Sequence, residues 1–409
     1  MNERTHLSFD DTERAFAAKT NKELKKAHFI FSAMGKSWLV KLGLKFTPLA
    51  IRWCIPFTRP VIRKTIFQQF VGGETLEETK RVVDKLEKYN VQVILDYGVE
   101  GKEGEENFEH ARDEFKKVIE YGATQANIPF MSVKVTGFAR FTLLEKMDEA
   151  MHAVTGTLMK RYLTAVENLP DEEREEFHKI RLRLLQVCEA AASKNIAVLI
   201  DAEETWIQDP VDALTVLMMD TFNTKRAVVY NTLQLYRHDR LQFLKDSYTA
   251  AVERNFILGT KLVRGAYMDK ERNRAVEMQY ASPIQPDKAT CDEAYNAAIA
   301  FCIAHLDQVA VIVASHNEYS NLYTTELLDQ NGLAHHHPHV HFSQLYGMSD
   351  NITFNLAKSG FSVSKYLPFG PIKDVIPYLM RRAQENSSVS GQTGRELGLI
   401  KKEMKRRGI

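Results

Sequence analysis

The sequence predicts an α/β protein built on a TIM-like (β/α)8 barrel, with an N-terminal helical arm and extra helices between strands 2 and 3. Eight short segments rich in Val, Ile and Leu recur after residue 90, and a charged, helix-like stretch follows each one. Near-continuous apolar segments of this kind are typical of parallel strands buried on both faces. Eight such units within about 290 residues favour a closed barrel over an open sheet.

The spacing of the candidate strands divides the chain into regions. About 60 residues separate the second and third strands, and the helical pattern LPDEEREEFHKIRLRLLQVCEAAASKN in that interval predicts the extra helices. We expect a helical arm over 1–85, the barrel over 86–390 and a basic C-terminal tail over 391–409. The eight segments are 91–98, 130–138, 197–204, 227–236, 257–267, 309–317, 340–348 and 361–370.

The composition excludes several classes of protein. Lys and Arg (54) nearly balance Asp and Glu (53), which argues against a nucleic-acid partner. The four cysteines form no CxxC pair, so we expect a reducing compartment and no disulfide framework. No uncharged apolar run is long enough for a transmembrane helix, and the N-terminus has neither a signal peptide nor a typical transit peptide.

The arm has a strong local charge bias. Residues 24–73 contain no Asp or Glu but nine Lys and Arg, interleaved with bulky apolar side chains. This pattern suits an element that lies on an anionic membrane surface. An ordinary helical cap packed on a core is the alternative, and the sequence leaves both open.

Polar residues fall late in the apolar segments, which is where a barrel places its chemistry. Because a charge inside a barrel is costly unless it is paired, we expect the cations to meet carboxylates on neighbouring strands. Structural ion pairs at the barrel rim are the alternative interpretation. The residues concerned are Lys134, Asp201, Glu203, Glu204, Gln234, Lys261, Arg264, Ser315, His316, Asn317, Gln344 and Tyr366.

The usual phosphate-binding motifs are missing. There is no GxGxxG after a strand and no GxxxxGK[ST], so a Rossmann site or a P-loop is not expected. The RGAY turn at 264–267 could still hold a phosphorylated cofactor, because Arg264 is a cation and Gly265 allows close backbone approach.

The segment HHHPHVH (335–341) has five histidines in seven residues and could bind a metal, which would make the chain a metal-dependent barrel hydrolase. It precedes a strand, however, so we expect it at the opposite end of the barrel from the chemistry. A polar loop without metal is our interpretation.

The segment YLMRRAQEN (378–386) places Arg381 and Arg382 side by side within an amphipathic helical pattern. Adjacent guanidiniums repel each other, so either solvent or an anion must separate them. The planar guanidinium binds a carboxylate with two parallel hydrogen bonds, which makes a carboxylate clamp one possibility and a solvated surface pair the other.

The motifs SVKVTG, IDAEE, KLVRGAY, SHN, QLYGM, KYLPFGP and YLMRRAQENSS, in this order, resemble the proline dehydrogenases over roughly residues 65–390. The resemblance implies a barrel that binds FAD without a Rossmann fold. It also implies oxidation of L-proline to pyrroline-5-carboxylate by hydride transfer from C5 to flavin N5. Electrons would pass to a membrane quinone. Hydroxyproline is the nearest rival substrate, and the absence of an aldehyde dehydrogenase domain indicates the single-function form.

The resemblance also implies roles for individual residues. Lys134, Arg381 and Arg382 would hold the proline carboxylate, with Lys134, Asp201 and Lys261 as the charged catalytic group. Tyr267, Leu345 and Tyr366 would line the ring, and Glu100 would pair with the first arginine as a gate. The FAD contacts would be Ala202, Gln234, Arg264, Gly265, Ala266, Ser315, His316, Gln344 and Glu385.

One departure concerns the fifth strand. Some members of the family have RLVKGAY where this chain has KLVRGAY, so the two cations, Lys261 and Arg264, are exchanged. The resemblance places a bacterial member at the cytoplasmic face of the inner membrane, or a eukaryotic one at the mitochondrial inner membrane.

Overall fold

The barrel predicted from the sequence is confirmed. The structure is a computed structural model, and it describes residues 7–53, 56–98, 103–388 and 390–409. Eight parallel strands follow one another in chain order and close into a barrel. They are β1 (Gln92–Tyr97), β2 (Phe130–Val133), β3 (Ala197–Ile200), β4 (Val229–Gln234), β5 (Leu258–Val263), β6 (Val309–Ala314), β7 (Val340–Leu345) and β8 (Val363–Phe369).

Several strands end before the predicted segments do. β3 stops at Ile200, for example, so Asp201, Glu203 and Glu204 lie in the loop that follows it. The apolar side chains remain in the sheet because both of its faces are buried, and the polar ones leave it at the carboxyl end. Because both faces of the sheet are buried, the polar residues named above lie at the carboxyl ends of the strands.

Helices precede the barrel in the part of the chain where the sequence predicts a helical arm. Thr20 and Glu23 make a reciprocal capping box that fixes the start of the second of these helices. A single π-helical turn spans Arg63–Phe67. The arm helices are α1 (Thr12–Ala15), α2 (Asn21–Met34), α3 (Ser37–Arg52), α4 (Thr58–Ile62), α5 (Gln68–Phe70) and α6 (Leu76–Glu87).

The helices that surround the barrel include the expected additions between the second and third strands. α8 and α9 precede the long helix α10 there. The set is α7 (Glu105–Ala123), α8 (Phe141–His152), α9 (Leu158–Glu167), α10 (Asp171–Ser193), α11 (Gln208–Phe222), α12 (Arg240–Arg254), α13 (Met268–Glu277), α14 (Lys288–Ala304), α15 (Glu318–Gln330), α16 (Asp350–Lys358), α17 (Ile372–Ser388) and α18 (Ser390–Arg407).

The chain divides into two compact units. One comprises residues 1–99 with 342–409, and the other comprises residues 100–341. In the first unit, an apolar cluster joins the arm to the C-terminal helices through Phe31, Phe70, Ile376 and Leu399. The rings of Phe31 and Phe70 meet edge to face at 6.2 Å.

The segment 391–409, which the sequence leaves as a basic tail, is helical in this unit. Leu399 and Ile400 are buried on one face of α18, and that helix packs against α2. Glu403 is also buried and is held by Arg406 and Arg407. The segment is rich in charged residues, but it forms a helix with a buried apolar face, and composition alone does not predict this face.

Candidate active site

A cluster of three charged side chains, two of them buried, lies at the carboxyl ends of β2, β3 and β5 in the unit 100–341. Asp201, the first residue after β3, forms an ion pair with Lys261 of β5. The ammonium of Lys134, directly after β2, lies 3.6 Å from the other oxygen of Asp201. Asp201 and Lys261 are buried, whereas the Lys134 side chain is 33% exposed. One carboxylate thus organises two ammonium groups, and the more exposed one faces less desolvation.

Only part of the expected cation pairing is present. Lys134 meets Asp201 from the neighbouring strand as expected, and Lys261 meets it from β5, two strands away. Arg264 and Glu204 instead pair with residues of the helices. Arg264 pairs with Asp292, and Glu204 pairs with Lys270. These partners come from α13 and α14, so strand positions could not reveal them.

Glu203 is hydrogen-bonded rather than ion-paired at close range. The hydroxyl of Thr136 donates to its carboxylate at 2.8 Å. Burial raises the pKa of Glu203, while the charge of Lys134 acts in the opposite direction. A carboxyl group with this raised pKa is a candidate proton carrier, although no sequence motif marks Thr136 as its partner.

Gln234, the last residue of β4, uses its amide nitrogen in two hydrogen bonds, whereas its amide oxygen makes none among the described residues. Its Nε2 donates to the Glu203 carbonyl at 2.6 Å and to the Tyr236 hydroxyl at 2.8 Å. Its Oε1 is buried and has no hydrogen-bond partner among the described residues. A buried acceptor without a partner is costly, so this oxygen is suited to a ligand donor.

The guanidinium of Arg264 is fixed on several sides. It pairs with Asp292, donates to Ser315 Oγ at 3.1 Å and to Ser320 Oγ at 2.6 Å, and lies 4.0 Å from the centre of the Tyr295 ring. Its Nε is buried and lacks a partner in the described ranges. The sequence identified Arg264 and Ser315 but missed the others, which lie on α14 and α15.

The turn after Arg264 is open. Gly265 has φ of +94°, a conformation that L side chains rarely adopt, and a Cβ placed there would meet nothing within 4 Å. Gly265 and Ala266 are exposed, and Tyr267 is half-buried. Of the other predicted cofactor contacts in this unit, Ala202 is buried and His316 is half-buried.

In the other unit, β7 and β8 bring three predicted residues together. Leu345 and Tyr366 occupy paired positions of the parallel strands, and both are half-buried. Gln344 is buried, and its Oε1 accepts a hydrogen bond from the Thr353 hydroxyl at 2.8 Å. This bond fixes the orientation of the Gln344 amide.

Helix α17 carries the adjacent arginines, and they occupy different environments. Arg382 is buried, donates to Glu385 Oε1 at 2.5 Å and lies 5.2 Å from the Tyr378 ring centre. Its Nε is buried and unpartnered among the residues described. Burial raises the pKa of Glu385, opposed by the charges of Arg382 and Arg381. Arg381 is half-buried. A fully solvated surface pair is therefore wrong for Arg382.

The histidine run forms the loop before β7 and the first part of that strand. His335 contacts Asp329 at 3.0 Å, and His339 Nδ1 lies 2.6 Å from the Leu306 carbonyl. His341 is buried in the strand beside Phe130, and burial lowers its pKa to about 3. These contacts are those of a structural loop.

The predicted gate residue Glu100 lies outside the described residues.

A different trio could present ligand atoms to a metal. Asp148, His152 and Asp209 place one such atom each within 4.8 Å of the others. The guanidinium of Arg161 already binds Asp209 at 2.6 Å, and the Asp148 carboxylate raises the pKa of His152. An ion-pair network accounts for this group without a metal.

Comparisons with known proteins agree on one family. The family model for proline dehydrogenase matches residues 79–395. The carbapenem antibiotics biosynthesis protein CarD of Pectobacterium carotovorum is 34% identical, over 90% of this chain and 91% of its own. Proline dehydrogenase 1, mitochondrial, of Dictyostelium discoideum is 30% identical, over 97% and 74%. Hydroxyproline dehydrogenase of Xenopus laevis is 30% identical, over 98% and 90%.

Solved structures show a similar fold. Proline utilization A (PutA) of Bdellovibrio bacteriovorus superposes with a TM-score of 0.73 at 17% identity, over 93% of this chain and 42% of its own. The chain therefore spans about two fifths of that larger protein. No helix within the described ranges is both long and apolar enough to cross a bilayer. Because the family model covers most of the chain and relatives at 30% identity or more align along nearly all of it, the chain belongs to the proline dehydrogenase family of oxidoreductases.

Proposed function

We propose that this chain oxidises L-proline to pyrroline-5-carboxylate with bound FAD, as the first step of proline catabolism. The observation that carries the proposal is the Lys134–Asp201–Lys261 cluster, with Asp201 and Lys261 buried, at the strand ends of a barrel of this family. Burying ionised groups costs free energy. A cluster of three of them is therefore more typical of a functional site than of an ordinary protein interior.

The residues present fit FAD. Gln234 offers a buried acceptor without a partner, Arg264 offers a fixed cation with an unpartnered Nε, and the open turn at Gly265 leaves space beside the backbone. These features suit a cofactor that carries both an amide-bearing ring and phosphates. FAD, when bound, supplies at N5 the acceptor for the hydride that leaves proline C5. The other proposed contacts are Ala202, Ala266, Ser315, His316, Gln344 and Glu385.

The cations are proposed to bind the substrate carboxylate. Arg382 is suited to this because its guanidinium is immobilised by Glu385 and Tyr378, so little side-chain entropy is lost on binding. Arg381 and Lys134 would complete the clamp, since both are accessible enough to meet a ligand. Tyr267, Leu345 and Tyr366 are assigned to the ring, and the gate role of Glu100 remains a prediction.

Asp201 is proposed to orient both lysines. Without its carboxylate, Lys261 and Lys134 would each lose an ion-pair partner. The proline amine must be neutral before the hydride leaves, so a polar group near this cluster must receive its proton. Glu203 is the neighbouring carboxyl that we assign to this exchange, because burial raises its pKa and the Thr136 hydroxyl holds it in place.

Hydroxyproline is the rival substrate, because the hydroxyproline dehydrogenase of Xenopus laevis aligns with 98% of this chain. Tyr366 favours proline in our proposal, since its large side chain would occupy the space that a ring hydroxyl requires. We further propose a membrane quinone as the electron acceptor. That acceptor would place the protein at the inner membrane of a bacterium or a mitochondrion.

The proposal is tested by the flavin spectrum of the purified protein. We expect a yellow protein whose visible absorbance is bleached by L-proline under anaerobic conditions, and less readily by hydroxyproline. Reoxidation by a short-chain quinone analogue tests the acceptor separately. A colourless protein with stoichiometric zinc would overturn the proposal, and equal kcat/KM for both substrates would remove the assignment to proline.

A further inference from the structure

A chain of polar contacts runs through the interior of the unit 100–341 and ends at the proposed flavin contact Gln234. It begins at Arg240, the first residue of α12, whose guanidinium pairs with Asp212 of α11. Asp212 accepts from Gln208 Nε2 at 2.9 Å, and Gln208 Oε1 accepts from the backbone N–H of Glu203 at 2.8 Å. The carbonyl of Glu203 accepts from Gln234 Nε2 at 2.6 Å. None of these residues is more than 6% exposed, so the chain is shielded from bulk water.

The chemistry of each group fixes the direction of these hydrogen bonds. An ion-paired carboxylate can only accept and a backbone N–H can only donate, so Gln208 must direct its Nε2 toward Asp212 and its Oε1 toward Glu203. The carbonyl of Glu203 can only accept, so Gln234 must turn its Nε2 toward it. The Tyr236 hydroxyl accepts a further hydrogen bond from that nitrogen at 2.8 Å. The amide oxygen of Gln234 is therefore the end that remains for a ligand.

The local structure explains how the chain reaches from the helices to the strand. Gln208 and Asp212 lie four residues apart on α11, which is the spacing at which such side chains bond along a helix. Asn231 of β4 donates to the same Asp212 oxygen at 2.9 Å and ties α11 to this strand. Asn231 and Gln234 are three residues apart on β4, so their side chains point to opposite faces of the strand. An arrangement set in the helix layer is thus carried to the opposite face.

Stability alone does not account for the ion pair in this chain. Replacing a buried ion pair by apolar side chains of similar volume is often neutral or stabilising, because both charges must be desolvated. Arg240 Nε and Asn231 Oδ1 are also buried without partners among the described residues, which adds to the cost. A costly buried network of this kind is suited to fixing the geometry of the residues that it joins.

We propose that Gln208 and Asp212 are positioning residues for the flavin. They fix the backbone of Glu203 and, through it, the amide of Gln234, so that its Oε1 is held ready for an N–H of the flavin ring. An acceptor that is already held in place loses less side-chain freedom when the ligand binds. This inference rests on the proposed function, because it assigns Gln234 to FAD.

The test is the rate at which FAD leaves the holoenzyme on dilution, followed by the recovery of free flavin fluorescence. Gln234→Leu removes the proposed contact and should raise the release rate about tenfold, the effect of losing one hydrogen bond. Gln208→Met has a similar volume but no amide, so the acceptor remains without being held. It should raise the rate by about three- to tenfold and shift the visible absorption maximum of the flavin in the same direction as Gln234→Leu.

A double variant separates positioning from a general effect on stability. If Gln208 acts through Gln234, Gln208→Met should change the release rate by less than about twofold in the Gln234→Leu background, because the contact that it positions is gone. A general loss of stability would add in full to the effect of Gln234→Leu.

The ion pair is tested by a substitution and its rescue. Asp212→Asn alone takes the nearest carboxylate from Arg240 and sets two donors against each other, so FAD release should accelerate. With Arg240→Gln added, the introduced amide can accept from Gln208 and donate to the second amide. The release rate should then return to within about twofold of the original. This pair gives the same decision if Gln208→Met does not fold.

Thr215→Val is the matched control. Thr215 is buried on the same helix, α11, and its hydroxyl donates to the Val211 carbonyl at 2.7 Å. The substitution removes this hydrogen bond at nearly constant volume. It should lower Tm without altering the release of FAD or the flavin spectrum.

The outcomes distinguish this inference from the proposed function. FAD release from Gln208→Met at the original rate would overturn the inference and leave the proposed function intact. The same increase in both backgrounds of Gln234, or an equal increase in Thr215→Val, would do so too. A purified protein without flavin would overturn the proposed function and this inference with it.

Discussion

Replacing Arg382 by Met isolates the contribution of one guanidinium to substrate binding. Arg382 is buried, its planar group is fixed by Glu385 and Tyr378, and its Nε lacks a partner among the described residues. Two charge-assisted hydrogen bonds to a carboxylate at about 1.5 kcal/mol each give about 3 kcal/mol. At about 1.36 kcal/mol per factor of ten, that is a rise of about 150-fold in the KM for proline. Because the contact is equally present in ground and transition states, kcat should change much less.

The assay is steady-state proline oxidation, with flavin content and Tm recorded for each variant. Arg254→Met is the matched control, since Arg254 of α12 forms a partly exposed ion pair with Asp220 of α11. Its kinetics should match those of the unaltered protein. A KM for Arg382→Met within threefold of the original, with full flavin content, would refute the assignment of Arg382 to the carboxylate clamp.

Three further predictions concern other parts of the molecule. Burial and the nearby Asp350 charge raise the pKa of Glu396 to about 7, above its unfolded value, so this group costs stability as pH rises from about 4.5 to 7. Glu396→Gln should therefore stabilise the protein at pH 8 by up to about 3 kcal/mol but not at pH 4. If the variant and the unaltered protein had the same unfolding curves at both pH values, this prediction would be contradicted. Tyr366→Ser should shift the ratio of kcat/KM values toward hydroxyproline, and an unchanged ratio would exclude it as the specificity residue. Gly347→Ala should cost about 2–4 kcal/mol in denaturant unfolding, because φ is +81° and a Cβ would lie 1.9 Å from the Gln69 carbonyl, whereas Gly398→Ala should cost nothing.

The sequence by itself determined the fold class and the end of the barrel that carries polar residues. Eight apolar segments buried on both faces require parallel strands with covering helices, and the resulting barrel is confirmed. The expectation that cations there meet carboxylates holds for Lys134 and Lys261, which both meet Asp201. The charge bias of the arm is likewise visible in composition alone.

Only the tertiary structure decided which side chains meet when they come from different kinds of element. Arg264 pairs with Asp292 of α14 and donates to Ser320 of α15 rather than meeting a strand neighbour. No sequence spacing encodes which helix side chains reach a strand end. The two adjacent arginines of α17 look alike in sequence, yet Arg382 is buried and Arg381 is half-buried. Periodicity predicts how a segment folds, whereas burial and pairing depend on what the rest of the chain packs against it.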